Sequence, residues 1–489
     1  MSIRSESRSF FGRAKELEML RALRKKKAAS LVCVLGRRRI GKSTLIGEFA
    51  REFKSFVVIQ GLAPEDHSSN QDQLDHFATR MAIVFQTPRV HFTDWSQAFH
   101  ELAVKTKRGA HVVLLDEISW MGRKDPLFAA KLKDAWDLEF RNNPQLILVV
   151  CGSVSSWIDH NILKNVNFVG RISLAINLGE LSLKEINRFW TANHYHMGSM
   201  EKMIILSVTG GVPKYLEEIL AKKTAEQNLV SLCFTPSGIL FSEYDKIFSD
   251  IFERKKKGLD KIIRTLLTQK LSPVQLAAKL GVSQSGDLTE DLSVLEISGF
   301  LSRDYYFKPD GKMSKLGHLR VKDNYLRFYL SQIEPNRDRI LRGGKAIHSI
   351  ADLKSFEAIL GYQFENLILG NRTLVYPFLN LEDRSVVSSA PYVQRKTQQN
   401  KGGCQIDLLI HTQLDVFFVC EFKCARLIDR SIIKEVQKKC AVLKLPSRSS
   451  VKPVLVYEGE LYAPHRDEIE GYFYRLVRFE QLLDGDVVG

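Results

Sequence analysis

Two sets of residues in this chain have the types and spacing that chemistry requires. The first is Gly36-Arg37-Arg38-Arg39-Ile40-Gly41-Lys42-Ser43-Thr44, set between an apolar run, Leu31–Leu35, and a helical pattern. Glycines in such a loop let backbone N–H groups turn inward around phosphates. Lys42 can then reach the terminal phosphates of ATP, and the Ser43 hydroxyl can ligate Mg2+. A second apolar run, His111–Glu117, ends in two acids. Asp116 is placed to hold Mg2+ through water, and Glu117 to orient or deprotonate an attacking water. A third run, LILVVCGS, ends in Ser153. Its strand is expected between the first two, with the hydroxyl near the γ-phosphate.

The second set lies near the other end, in VFFVCEFKCAR. Glu421 and Lys423 share one face by the two-residue period of a strand. The preceding run carries Asp407, and a turn at about His411–Asp415 makes the two runs a hairpin. That hairpin brings Asp407 beside Glu421 across the ladder. Two carboxylates and an ammonium on one face suit a Mg2+ site with a cation that positions water. The plain alternative is an ion pair in a basic protein.

The elements that must position these groups are readable. Ser182 and Glu185 form a capping box that opens a helix, and Gly210, Gly211 and Pro213 read as a helix break. From 259 to 330, three short helices precede a hairpin. Ser272 caps one helix with Pro273 at its first position, and Gly281 turns it. Pro309-Asp310-Gly311 is the hairpin turn. This is a winged-helix pattern. Its wing carries Lys308, Lys312 and Lys315, followed by Arg320. Its third helix carries Asp287, Glu290, Asp291 and Glu296, a face that repels phosphates. In the last third the order is helix, strands, helix, strand.

Bulk properties set the frame. The 489 residues are 44% hydrophobic and 26% charged, with net charge +15 and pI about 9.3. Length predicts two to four domains. The basic excess favours a polyanion partner, DNA first. No apolar run approaches a membrane span and the N-terminus lacks a signal-peptide pattern, so a cytoplasmic protein is expected. The runs Arg24–Lys27 and Arg254–Lys257 read as helix ends. The seven cysteines follow no disulfide framework and are expected reduced. Cys404, Cys420, Cys424 and Cys440 cluster in the last third; a metal or iron–sulfur site is one reading, and small buried thiols, with Cys420 and Cys424 on the face opposite Glu421 and Lys423, are the favoured one.

Taken in order, FFGRAKELEML, GRRRIGKS, LLDE, GRISLAINLGELSLKE and TGGVPKYLEE resemble the archaeal-type AAA+ ATPases, close to the STAND class of switches. The resemblance covers about residues 8–225. It implies that Phe11, Gly12, Arg13, Glu16 and Leu17 lie beside the adenine. It makes Arg171 the candidate arginine finger or sensor, from this subunit or a neighbour. The C-terminal pattern resembles the PD-(D/E)xK nucleases. That resemblance implies Glu365 as the helix acid, Asp407 and Glu421 as metal ligands, and Lys423 as the catalytic lysine. Gln437 or Lys438 is expected to add to the site. The expectation is an α/β protein with a P-loop AAA+ core (1–180), a helical lid (181–255), a winged helix (256–335) and a restriction-endonuclease-like domain (350–489). ATP and Mg2+ are the expected cofactors, with DNA and further copies of the chain as partners. The favoured function is ATP hydrolysis that regulates or drives a DNA nuclease. The rivals are a STAND-like switch that binds without cutting and a transcription regulator working through the winged helix.

Overall fold

The computed structural model describes residues 10–63, 67–153, 155–252, 256–283, 285–305, 317–343, 347–394 and 402–485. The expected turn at 309–311 and Lys308, Lys312 and Lys315 lie outside these residues, as do Arg254 and Lys255. The chain divides into two compact units. One is Met1–Glu180 with the short pieces Ser249–Glu253 and Ile297–Gly299, and the other is the remainder.

In the first unit, β1 (Ser30–Leu35), β2 (Ser55–Gln60), β3 (His111–Asp116), β4 (Leu146–Cys151) and β5 (Ile172–Asn177) form a parallel sheet in the order β2-β3-β4-β1-β5. Parallel strands covered on both faces must be apolar throughout, and β1 is buried along its whole length. Leu31, Cys33 and Leu35 enter one core with Trp95, Phe99 and Phe128. Val32 and Val34 enter the other with Leu45 and Phe49. Burying each large side chain contributes about 1.5–3 kcal/mol, so slipping β1 by one residue is prohibitive. That fixes where each strand ends and the next segment begins. Helix α1 (Lys42–Ala50) follows β1 directly, and α2 (Phe128–Leu138) precedes β4.

The second unit begins with α3 (Leu183–Ala192), which opens on the Ser182–Glu185 capping box. Helix α4 (Ser199–Thr209) stops at Gly210, and Pro213 starts the next turn. Beyond two further helices, Ala225–Cys233 and Ile239–Phe252, come α5 (Lys256–Leu266), α6 (Pro273–Leu280) and α7 (Gly286–Ile297), and then the antiparallel pair β6 (Leu301–Asp304) and β7 (His318–Val321). Ser272 caps α6 and Gly281 closes it in the left-handed region. Arg320 is not a surface residue of this hairpin. It is buried, bonded to Asp304 at 2.6 Å and to Asn366, so it cannot meet a phosphate there.

After α8 (Asn324–Phe328) come α9 (Phe356–Gly370), β8 (Val386–Gln394), β9 (Cys404–Thr412), β10 (Val416–Ile428), α10 (Ser431–Val442), β11 (Ser450–Leu461) and β12 (Arg475–Arg478). The sheet order is β12-β11-β10-β9-β8. β8, β9 and β10 form an antiparallel meander, and β10, β11 and β12 run parallel. One face carries Phe418, Cys420 and Phe422 into a core with Leu360, Phe364 and Leu367 of α9 and Leu183 and Trp190 of α3. The segments expected as lid and C-terminal domain therefore share one core. On the opposite face, Ile432 and Val436 of α10 pack on Phe417, Val419 and Leu455.

Candidate functional site

The loop after β1 is built by close backbone approach. Gly36 has φ of 147°, and a Cβ there would lie 2.5 Å from the Leu178 carbonyl oxygen, so no other residue fits. Gly41, at φ 91°, turns the chain into α1. The Lys42 ammonium is buried in the loop and donates to the carbonyls of Gly36 (3.0 Å) and Arg37 (3.1 Å). The Arg13 guanidinium braces the same loop, donating to the carbonyls of Ile40 (3.2 Å) and Gly179 (2.7 Å). Arg37 pairs with Glu180 at 3.6 Å, Arg38 lies over the Trp120 ring, and Arg39 holds a left-handed φ of 66°.

Sheet order puts β4 between β3 and β1 and so gathers the polar strand ends. Ser43 donates to Asp116 Oδ2 at 2.7 Å, and the Cys151 thiol lies 2.9 Å from Asp116 Oδ1. Burial, and then the Asp116 charge, push that thiol well above its ordinary range, so it stays a neutral donor. Glu117 Oε2 accepts from the Ser153 N–H (2.8 Å) and hydroxyl (2.9 Å). Ser153 thus aims the Glu117 carboxylate. Burial raises the pKa of Glu117, with Lys42 and Ser153 opposing the shift. These groups fit a nucleotide phosphate chain with Mg2+: a lysine inside the loop, a hydroxyl on an acid, and a second acid aimed by a hydroxyl.

Arg171 is elsewhere. It precedes β5, whose first residue Ile172 pairs with Leu31, while the loop leaves β1 after Leu35. Four residues of strand separate the two ends, about 13 Å. Its guanidinium grips Asp137 at the end of α2 with two bonds of 2.8 Å and holds that carboxyl down at about 2. The expectation that Arg171 acts on the phosphates of its own chain is corrected on that ground.

The C-terminal sheet assembles the second set. Cys420 pairs with Leu408, which sets Glu421 opposite Asp407. Asp407 Oδ2 also accepts from the Phe422 N–H at 2.9 Å. Both acids, with Glu365 and the exposed Lys423, line one open cleft of about 1280 Å3. Burial raises the pKa of both Asp407 and Glu421. The Glu365 charge adds to the shift at Asp407, and the Asp407 charge adds to it at Glu421. Lys439, not Gln437 or Lys438, contacts the acids: its ammonium spans both Glu421 oxygens at 2.6 and 2.7 Å. Burial alone would lower the Lys439 ammonium, but the Glu421 contact wins and raises it. At Glu421 the balance is reversed, because burial and Asp407 outweigh that same lysine.

The three acids expected to share a metal are not gathered around one point. Among the described residues, no group of three His, Cys, Asp or Glu side chains stands within reach of one ion. Asp407 and Glu421 face each other, but the Glu365 carboxylate is bonded to Lys270. Two carboxylates still suit Mg2+, which keeps several waters and takes its other ligands from a phosphate. Cys420 and Cys424 pack toward the core on the opposite face.

The first fold and site define a P-loop ATPase domain. Residues 10–219 match the ATPase domain found predominantly in Archaea. An uncharacterized protein of Methanocaldococcus jannaschii is 24% identical over 361 residues, covering 73% of this chain and 76% of that protein. The Walker-type ATPase of Pyrococcus abyssi is 15% identical with a TM-score of 0.47, covering 67% of this chain and 99% of that one. The ORC2 protein of Aeropyrum pernix is 14% identical with a TM-score of 0.42, covering 70% of this chain and 97% of that one. No helix among the described residues is long and apolar enough to cross a membrane.

Proposed function

We propose that the ATPase domain regulates or drives a Mg2+-dependent nuclease centre in the C-terminal sheet, with DNA as substrate. The observation that carries this reading is the Asp407–Glu421 pair, a half-buried and a buried carboxylate made adjacent by a hairpin register. Such a pair ionises fully only when a cation neutralises it, and otherwise tends to retain a proton. Mg2+ held between them would supply Lewis-acid polarisation of a phosphate. Lys423, two residues beyond Glu421 on the rim of the cleft, would stabilise charge developing at the scissile phosphate. In the ATPase domain, Lys42 would hold the β/γ-phosphates, Ser43 and Asp116 would hold Mg2+, and Glu117 would take the proton of the attacking water. Helices α5–α7 with β6 and β7 fit a winged helix. Arg171 would reach a γ-phosphate only in a neighbouring copy, which implies a homo-oligomer.

A second reading, a STAND-like switch whose C-terminal sheet binds without cutting, is favoured by one observation. Lys439 and Lys270 already neutralise Glu421 and Glu365. Calorimetric Mn2+ titration separates the two. We expect binding in wild type, a loss of about 10-fold or more in Asp407→Asn, and little change in Lys423→Ala. Because both carboxyls are pushed up, lowering the pH protonates the pair. Affinity should therefore rise with pH above the ordinary carboxylate range, with proton release on binding. Binding that ignores Asp407→Asn would remove the metal-centre reading.

A further inference from the structure

We infer that Lys270 is an internal counter-ion that latches the C-terminal cleft, so that withdrawal of the α5–β7 segment frees Glu365 for a divalent cation. The inference rests on the metal-centre reading above and concerns its regulation.

Lys270 lies in the turn between α5 and α6. Its neighbour Leu271 is bonded through its backbone to Leu319 of β7 in both directions, at 2.7 and 3.3 Å. The turn is therefore fixed to the segment and moves with it. Its ammonium crosses to α9 and bonds Glu365, the acid on the wall of the cleft. The pair is largely buried, with 22% and 16% of the two side chains exposed. The Lys270 charge is also felt at Asp407, where it opposes protonation. It thus acts as a cation of the site although it belongs to another segment.

The contact is not isolated. Helix α9 turns its apolar residues Leu360, Phe364 and Leu367 into the sheet core and its polar residues toward the α5–β7 segment and α8. Gln363 donates to the Asn324 carbonyl at 2.7 Å, and Asn366 bonds the Asn324 side chain at 2.8 Å and the Lys322 carbonyl. Arg320 reaches Asn366, and the Arg327 guanidinium lies over the Tyr362 ring. Asn324 continues the chain of contacts to α4 through the Leu206 carbonyl at 3.0 Å. The helix that carries Glu365 is therefore held on one side by the sheet and on the other by a seam of hydrogen bonds and charge. Burying charge in such a seam is weak support for stability but specifies one arrangement. A metal ion that recruits Glu365 must displace Lys270, so the two cations exclude each other. By reciprocity, metal binding should loosen the seam as much as the seam weakens metal binding.

The test uses the full chain as wild type, Lys270→Met, Lys270→Arg and Asp407→Asn, titrated with Mn2+ alone. We expect Lys270→Met to bind Mn2+ about 10-fold more tightly, Lys270→Arg to behave as wild type, and Asp407→Asn to bind poorly. Unchanged or weaker affinity in Lys270→Met, with binding still lost in Asp407→Asn, overturns the latch while leaving the metal centre intact. No Mn2+ binding by wild type or Lys270→Met removes both. Hydrogen exchange on wild type keeps the test independent of how the variants fold. Saturating Mn2+ should speed exchange in residues 265–272 and on the polar face of α9. Exchange there that Mn2+ leaves unaltered, under conditions where calorimetry shows binding, overturns the latch.

Discussion

Lys42→Ala raises the dissociation constant for ATP by about 100-fold or more. A buried ammonium making charge-assisted bonds is worth about 3 kcal/mol, which is a little over two decades of affinity. That ammonium donates to the Gly36 and Arg37 carbonyls. The substitution leaves both carbonyls short of a donor, so a small loss of thermal stability accompanies the loss of affinity. Equilibrium binding of labelled ATP, with an unfolding scan as control, measures both. Wild-type affinity in a folded Lys42→Ala protein would remove the phosphate-binding role of this loop.

Glu117→Gln lowers ATP turnover by about 100-fold or more and leaves ATP and Mg2+ binding intact, which is the scale expected when a general base is removed. The amide keeps the shape of the side chain, and its oxygen can still accept from Ser153. In wild type, burial raises the pKa of Glu117. Because the ionised form takes the proton, turnover should fall as pH drops, beginning above the ordinary carboxylate range. The residual activity of Glu117→Gln should lack that limb. Wild-type turnover in the variant would move the role to another group, with Ser153 the first to examine, since it now only aims Glu117.

Much of this was legible because local chemistry and tertiary burial agree. The three inner strands β1, β3 and β4 read as apolar runs because both of their faces are buried, and Asp116 and Glu117 stand out where β3 ends. Ser182 and Ser272 were readable as caps because their partners Glu185 and Gln275 are three residues away. The Asp407–Glu421 pairing followed from strand alternation and one turn.

What escaped depends on register and on distant contacts. Arg171 follows the third apolar run closely in sequence, but the pairing of Ile172 with Leu31 sets it at the far end of the sheet. Arg320 looked like part of a basic wing and is buried against Asp304 and Asn366. Lys439 had a readable signal, since the inward spacing of Ile432 and Val436 continues to 439 rather than to 437 or 438. Arg13 and Cys151 had no local signal for their bonds to the loop and to Asp116. Nor does any local pattern join Lys270 to Glu365 across 95 residues. Only the folded chain brings them together.

The most direct measurement is cleavage of end-labelled DNA by the purified full chain with Mg2+ or Mn2+, without nucleotide, with ADP and with ATP, and with Asp407→Asn in parallel. The account predicts metal-dependent cleavage whose rate changes with the bound nucleotide and which Asp407→Asn abolishes. No cleavage in any nucleotide state, or cleavage that Asp407→Asn leaves untouched, would contradict it.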